Sequence, residues 1–170
     1  GSGAESWLNT LLANRLPKAG RLCLTPMLNH NGKLIGDFTI GKLADERFFI
    51  FGSGAAEQYH MRWFEEHLPH DGSVSLQSHG MNLLGLSIAG PRSRELLSRL
   101  INEDASDSAL RFLDFHSLDL GMIPTLTGRI SFTGDLGYEF WVRSEFHGQL
   151  WDEIMRKGAD LGIQPFGSRA

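Results

Sequence analysis

Apolar and polar residues alternate along much of this 170-residue chain, and Gly, Pro, Asn and Asp separate the alternating stretches. A period of two is typical of strands that bury one face. It predicts strands over residues 21–28, 33–42, 47–52, 74–78, 82–89, 112–120, 125–132 and 138–143. Asn31-Gly32 lies between the first two and favours a tight hairpin turn.

Other apolar residues recur at helical spacing. This spacing predicts helices over residues 5–14 and 55–68, a third beginning at Pro91, and a last one around residues 146–155. The helices interrupt antiparallel-looking strands instead of alternating with them regularly. The order therefore predicts a two-layer α+β fold, into which a ferredoxin-like unit fits, and not a parallel sheet.

Composition narrows the function classes. The net charge of −4 argues against a partner recognised through its phosphate backbone, so we expect no nucleic acid. No apolar run approaches the roughly 20 residues that cross a bilayer, and we expect no membrane partner. Cys23 is the only cysteine, which fits a reducing compartment and a cytoplasmic location. The seven histidines show no metal-ligand spacing, so no metal is predicted.

Two carboxylates are candidates for chemistry. Glu139 follows the turn residues Gly134-Asp135 at the start of a predicted strand, where a fixed acceptor could meet a flat, nitrogen-rich ligand. Asp37 lies within a predicted strand, on one face with Ile35 and Thr39. From the residues alone, the favoured interpretation is that Glu139 is solvated and pairs with an arginine on its strand. The same interpretation makes Asp37 a solvated residue.

Three segments resemble the glycine-cleavage T-protein (aminomethyltransferase) family, which includes the folate-binding halves of dimethylglycine and sarcosine dehydrogenases. Residues 129–139, RISFTGDLGYE, are similar to the family's R-x-S/G-Y-T-G-E-x-G-x-E. Residues 25–40 contain a version of M-L-N-x-x-G-G-x-x-x-D-L-x-V, and residues 90–97, GPRSRELL, resemble G-P-x-S/A-R-x-x-L. Together they span roughly residues 20–170 in the expected order.

The resemblance implies roles for individual residues. Asp37 stands at the catalytic aspartate position, where it would orient or activate the folate nitrogen that accepts a one-carbon unit. Glu139 stands at the glutamate that accepts hydrogen bonds from the pterin edge. The other expected cofactor contacts are Met27, Ser53, Phe112, Arg129, Phe132 and Tyr138.

Some of these positions depart from the family pattern. Phe112 and Phe132 stand where many relatives have tyrosines, so a ring can still pack on a flat ligand without the hydroxyl contact. Ser53 replaces a frequent asparagine. The departures favour the dehydrogenase-associated branch over glycine cleavage.

The resemblance implies a tetrahydrofolate-dependent one-carbon transferase domain, serving a methylated amine or related donor. Any FAD would bind a domain outside this chain, since no G-x-G-x-x-G segment occurs in it. The alternatives are a non-catalytic folate-binding or iron–sulfur-assembly accessory protein, and an inactive partial domain. Residues 1–3 resemble a tag remnant, and residues 4–170 are expected to form a truncated folate-binding domain that self-associates through uncovered apolar surface.

Overall fold

The computed structural model describes residues 1–167. The chain divides into two compact units. Unit 1 comprises Gly1–Gly80 and the short returning segment Leu113–His116, and unit 2 comprises Met81–Phe112 and the residues from Ser117 onward.

Unit 1 is built on a three-stranded antiparallel sheet of order β1-β2-β3. Its elements are α1 (Ala4–Leu11), β1 (Arg21–Leu28), β2 (Leu34–Ala44), β3 (Arg47–Phe51) and α2 (Glu57–Glu66). The predicted turn at Asn31-Gly32 joins β1 to β2, and Gly32 has the positive φ of 72° that such a turn requires.

The core of unit 1 lies between one face of this sheet and the two helices. Its buried side chains are Trp7, Leu8, Leu12, Met27, Phe38, Ile40, Phe64 and Val74. Gly36 is required here, because a Cβ at this position would lie 2.6 Å from His60 Nε2 and 2.8 Å from the Phe38 ring. The residue before Asp37 is therefore fixed by close packing.

Unit 2 contains a second sheet, of order β4-β7-β6-β5, covered by two helices. Its elements are β4 (Leu83–Ala89), α3 (Ser93–Leu100), β5 (Phe115–Leu120), β6 (Ile123–Gly128), β7 (Gly137–Arg143) and α4 (Ser144–Gly158). The first two residues of β5 belong to unit 1. Helices α3 and α4 contact each other and both contact β7, so they form a layer on one face of the sheet. This confirms the two-layer α+β class, in which two helices back a four-stranded sheet as in ferredoxin-like units.

The core of unit 2 lies between this sheet face and the helices. Tyr138, Phe140 and Val142 point into it from β7, and Leu97 and Leu150 from the helices. Alternation along β7 therefore leaves Glu139 on the opposite face of the sheet.

Some boundaries differ from the sequence prediction. Residues 74–78 are not a strand: Val74 and Leu76 pack against the unit 1 core, but the segment pairs with no strand of the described chain. β5 begins at Phe115 because Leu113 adopts a positive φ of 65°, which ends strand geometry. β6 ends at Gly128, which leaves Phe132 in the following loop. Within residues 1–167, no helix is long and apolar enough to span a membrane.

Candidate functional site

Glu139 occupies the middle of unit 2's sheet. β7 is flanked by β4 and β6, and the register places Ser87 on one side of Glu139 and Gly128 on the other. Directly opposed residues have Cβ atoms about 4.5–5.5 Å apart. Ser87 is small and exposed, whereas Gly128 is buried, so the carboxylate is open to solvent on the β4 side.

The Glu139 carboxylate has no partner among residues 1–167. It makes no hydrogen bond or ion pair there, although it is half-buried. Burial raises the pKa of this carboxyl above its ordinary value, because desolvation penalises the charged form. The pairing with an arginine on its own strand does not occur, since Arg143 forms its ion pair with Glu145. A half-buried acid without a cation or donor is unusual for a purely structural residue.

Tyr138 and Arg129 lie close in sequence to Glu139 but serve the unit 2 fold. The Tyr138 side chain is fully buried, and its hydroxyl has no hydrogen-bond partner within the described chain. The Arg129 guanidinium donates to the Leu110 carbonyl at 2.8 Å and lies 2.7 Å from an Asp107 carboxylate oxygen. Arg129 therefore ties the loop before β5 to the end of β6. Cofactor contacts by these two residues stay predictions.

Phe132 and Phe112 are both exposed in unit 2. The Phe132 ring is fully open to solvent in the loop between β6 and β7, and the Phe112 side chain is 61% exposed. Ser131 Oγ donates to the Asp135 carbonyl at 2.5 Å, which closes the loop that carries Phe132. Neither ring is used in the core, so both are available to pack on a ligand.

Asp37 is exposed on the sheet of unit 1. The register places Pro26 opposite Asp37 on β1, and Leu24 opposite Thr39. The Leu24 side chain is 57% exposed, so the Asp37 carboxylate lies among apolar groups that face solvent. Asp37 forms no hydrogen bond or ion pair with residues 1–167. This face therefore presents one free carboxylate beside an apolar surface.

A β-bulge changes the predicted surroundings of Asp37. The register shifts between the Met27 and Leu28 pairs, which leaves Ile35 as an extra residue on β2. Ile35 consequently packs against the unit 1 core while Asp37 stays exposed, so the prediction that they share a face is wrong.

The other two residues expected in unit 1 differ in exposure. Met27 is completely buried in the core. Ser53 is exposed and extended just after β3, and continuing the β2–β3 register by two residues would place it opposite Asp37. The observed pairing ends at Phe51, and the ligand contacts of Ser53 and Met27 stay predictions.

Unit 1 thus holds Asp37, Met27 and Ser53, and unit 2 holds the remaining expected contacts, which are Phe112, Arg129, Phe132, Tyr138 and Glu139. Sequence reasoning missed Ser87 and Gly128 as the small neighbours of Glu139, and Pro26 beside Asp37. Alternation marks all three as candidates for an outer face, but only strand pairing shows which carboxylate each one borders. Within residues 1–167, no three His, Cys, Asp or Glu side chains are grouped so as to hold a metal ion.

Comparison with known proteins identifies the domain. The profile of the GCVT N-terminal domain family matches residues 1–170. The chain belongs to this family. It is 35% identical over 164 residues to the mitochondrial dimethylglycine dehydrogenase of Homo sapiens, and the aligned residues cover 96% of this chain and 19% of that protein. It is 26% identical to the aminomethyltransferase of Thermoanaerobacter sp. (strain X514), over 98% of this chain and 45% of that protein.

Two solved structures share the fold of this GCVT N-terminal domain. The glycine cleavage system aminomethyltransferase T from Bartonella henselae aligns with a TM-score of 0.75 and 19% identity, over 91% of this chain and 41% of that one. The heterotetrameric sarcosine oxidase from Corynebacterium sp. U-96 aligns with a TM-score of 0.72 and 15% identity, over 98% and 78%. The chain thus spans about a fifth of the dehydrogenases and under half of the aminomethyltransferases that it matches. The dehydrogenase is named as mitochondrial, and the cytoplasmic location stays a prediction.

Proposed function

We propose that this domain binds tetrahydrofolate and takes part in one-carbon transfer, as a portion of a protein of the dimethylglycine or sarcosine dehydrogenase type. The observation that carries the proposal is Glu139, a half-buried carboxylate without a partner in the described chain. A pterin presents adjacent N–H donors on one edge, and a carboxylate can accept two of them. Binding would supply the hydrogen bonds that the sheet does not provide.

The surroundings of Glu139 fit a flat ligand. The small, exposed Ser87 leaves the β4 side of the carboxylate accessible. The exposed Phe132 ring offers a surface for stacking at low cost, because Phe132 contributes nothing to the core. These features support a planar heterocycle with paired donors and give less reason to expect a flexible anion.

Asp37 has the properties of a group that acts on a reacting nitrogen. Its carboxylate is unpaired and exposed beside apolar side chains, so a ligand that covers it and excludes water would strengthen its interaction with a cationic centre. Tetrahydrofolate supplies the nucleophilic nitrogen. Asp37 would accept or orient the proton of that nitrogen and would favour a positively charged iminium carbon by its charge.

The one-carbon donor is proposed from the relatives. The dimethylglycine dehydrogenase relative and the Rhizobium meliloti relative, named sarcosine oxidase subunit alpha, both bear the names of N-methylglycines. We therefore propose that the complete protein oxidises an N-methyl amine on a separate flavin-bearing part and transfers the methylene carbon here.

Titration calorimetry with tetrahydrofolate tests the proposal. The parent chain should bind, and Glu139→Gln should weaken binding about 10- to 100-fold, since hydrogen bonds to a charged group contribute about 1.5–3 kcal/mol. Glu145→Gln is the matched control, because Glu145 is an exposed glutamate in the same unit that pairs only with Arg143. Equal affinity of the Glu139→Gln and Glu145→Gln variants would remove Glu139 from the site.

A further inference from the structure

Two histidines that are distant in sequence meet at one end of unit 1. His30 lies at the tip of the β1–β2 hairpin, and His67 directly follows α2. Their ring centroids are 6.1 Å apart, with the planes at 44°. Both rings also contact Trp63, on which His67 stacks with a centroid distance of 4.5 Å. The sequence spacing gives no metal-ligand pattern that includes both His30 and His67, so their proximity results from folding.

The hydrogen bonds of His67 determine which ring nitrogen is free. His67 Nδ1 lies 2.8 Å from the Trp63 carbonyl oxygen, which can only accept, so Nδ1 carries the proton. The neutral ring therefore presents the lone pair of Nε2. The His67 carbonyl accepts a hydrogen bond from Trp7 Nε1 at 2.7 Å, which holds the backbone of His67 in place. A backbone carbonyl on one nitrogen is the usual outer-shell partner of a metal-binding histidine.

His30 can supply a second nitrogen. Its side chain is exposed at the hairpin tip and makes no hydrogen bond with residues 1–167. Metal–nitrogen bonds of about 2.0–2.1 Å place two imidazole centroids about 6.4 Å apart at the trans positions of a square-planar ion and about 5.2 Å apart around a tetrahedral ion. The observed 6.1 Å is close to the trans arrangement that Cu²⁺ can adopt, and tetrahedral Zn²⁺ would require the rings to approach by about 0.9 Å.

We propose that His30 and His67 form a two-histidine site for a borderline first-row divalent cation, such as Cu²⁺ or Zn²⁺. Imidazole nitrogens suit these ions, and Cu²⁺ should bind more tightly than Zn²⁺. Water completes the coordination, because no group of three potential ligands occurs in residues 1–167. The bound ion links the β1–β2 hairpin to the end of α2.

The experiment titrates the full 170-residue chain, with no added histidine tag, with Cu²⁺ and with Zn²⁺ by calorimetry. One equivalent of each ion should bind. His30→Asn and His67→Asn should each weaken binding at least about tenfold, since even the loss of an outer-shell partner of a metal ligand typically costs 10–100-fold. His147→Asn, which removes a histidine of unit 2, should leave the affinity unchanged.

Fluorescence gives a second readout that does not depend on heats. Cu²⁺ bound at His67 should quench Trp63 because the two rings are stacked. Trp63→Phe should reduce the quenching while retaining the calorimetric binding, and the quenching that remains is expected from Trp7, whose Nε1 donates to the His67 carbonyl. Asn is favoured in turns, so His30→Asn should retain the hairpin, and circular dichroism checks this. Equal affinity of the parent and the His30→Asn variant, or unquenched Trp63 in the copper-loaded parent, would overturn the proposal.

Discussion

Asp37 and Glu139 are both carboxylates on outer sheet faces, but their surroundings differ. Asp37 lies exposed on β2 of unit 1, between apolar residues of β1. Glu139 is half-buried on β7 of unit 2, and its burial raises its pKa. Neither has a partner in the described chain. The difference in burial separates two tasks: a half-buried acceptor suits fixed recognition of donors, whereas an accessible charge suits interaction with a reacting centre.

The two carboxylates should therefore fail differently when altered. A binding residue changes affinity, and a residue that acts mainly in the transition state changes the rate.

The largest effect is expected for Asp37→Asn in the complete protein. The substitution retains size and polarity but removes the charge and the proton acceptor. Methylene transfer to tetrahydrofolate should fall by about 10²–10⁴-fold, the usual range for positioned acid–base catalysis. Tetrahydrofolate affinity should change much less, and amine oxidation should be unaffected. Rapid-quench measurement should find formaldehyde accumulating in place of methylene-tetrahydrofolate.

Glu139→Gln in the same protein is the matched comparison. It should lower tetrahydrofolate affinity, while a saturating concentration of tetrahydrofolate should largely restore the rate.

An Asp37→Asn variant that transfers methylene at the parent rate would show that Asp37 is a solvated strand residue.

A smaller effect is expected for Arg129→Met, which retains an unbranched side chain. The loss of the hydrogen bond to the Leu110 carbonyl should lower the free energy of unfolding by about 1–3 kcal/mol, measured in urea. Arg156→Met should change it by less than about 1 kcal/mol, because Arg156 forms an exposed pair with Glu153. If the two variants lowered the free energy of unfolding equally, the hydrogen bond from Arg129 to the Leu110 carbonyl would make no measurable contribution to stability.

The smallest effects are expected for Phe132. Because its ring is fully exposed, Phe132→Ala should change stability by no more than about 0.5 kcal/mol. Tetrahydrofolate affinity should still fall about 2- to 10-fold, the contribution of one aromatic contact. Phe132→Tyr should retain the affinity. A Phe132→Ala variant that binds tetrahydrofolate like the parent would exclude the ring from the site.

Much of the fold follows from local patterns in the sequence. Alternation and the Asn31-Gly32 turn locate β1, β2 and the hairpin between them, because these signals depend on neighbouring residues. The bulge at Ile35 does not follow from such signals, since it depends on pairing with β1. The segment around Val74 is a second example. Its apolar residues are buried as the alternation predicts, but the segment has no strand partner and therefore does not form a strand.

The candidate site was predictable by position and less so by environment. The family resemblance gives the positions of Asp37 and Glu139. It does not show that Glu139 lacks a partner, because that depends on Arg143 pairing with Glu145 and on small residues in two other strands. The approach of His30 to His67 likewise depends on tertiary packing and has no sequence signal.

The pH dependence of stability tests the unpaired state of Glu139 most directly. A carboxyl with a raised folded-state pKa binds more protons when native, so the free energy of unfolding falls as pH rises from about 4.3 through the folded pKa. Glu139→Gln cannot titrate. Without ligand it should therefore unfold at a higher temperature than the parent at pH 7, and the gap should close towards pH 4.

Saturating tetrahydrofolate should reverse this order at pH 7, because only the parent gains the full set of hydrogen bonds to the ligand. The measurement is the thermal unfolding temperature of both proteins, with and without tetrahydrofolate. If Glu139 is unpaired, the free parent should unfold at a lower temperature than the Gln variant, and tetrahydrofolate should raise the unfolding temperature of the parent more. A free parent more stable than Glu139→Gln at pH 7, or equal gains from tetrahydrofolate, would contradict it.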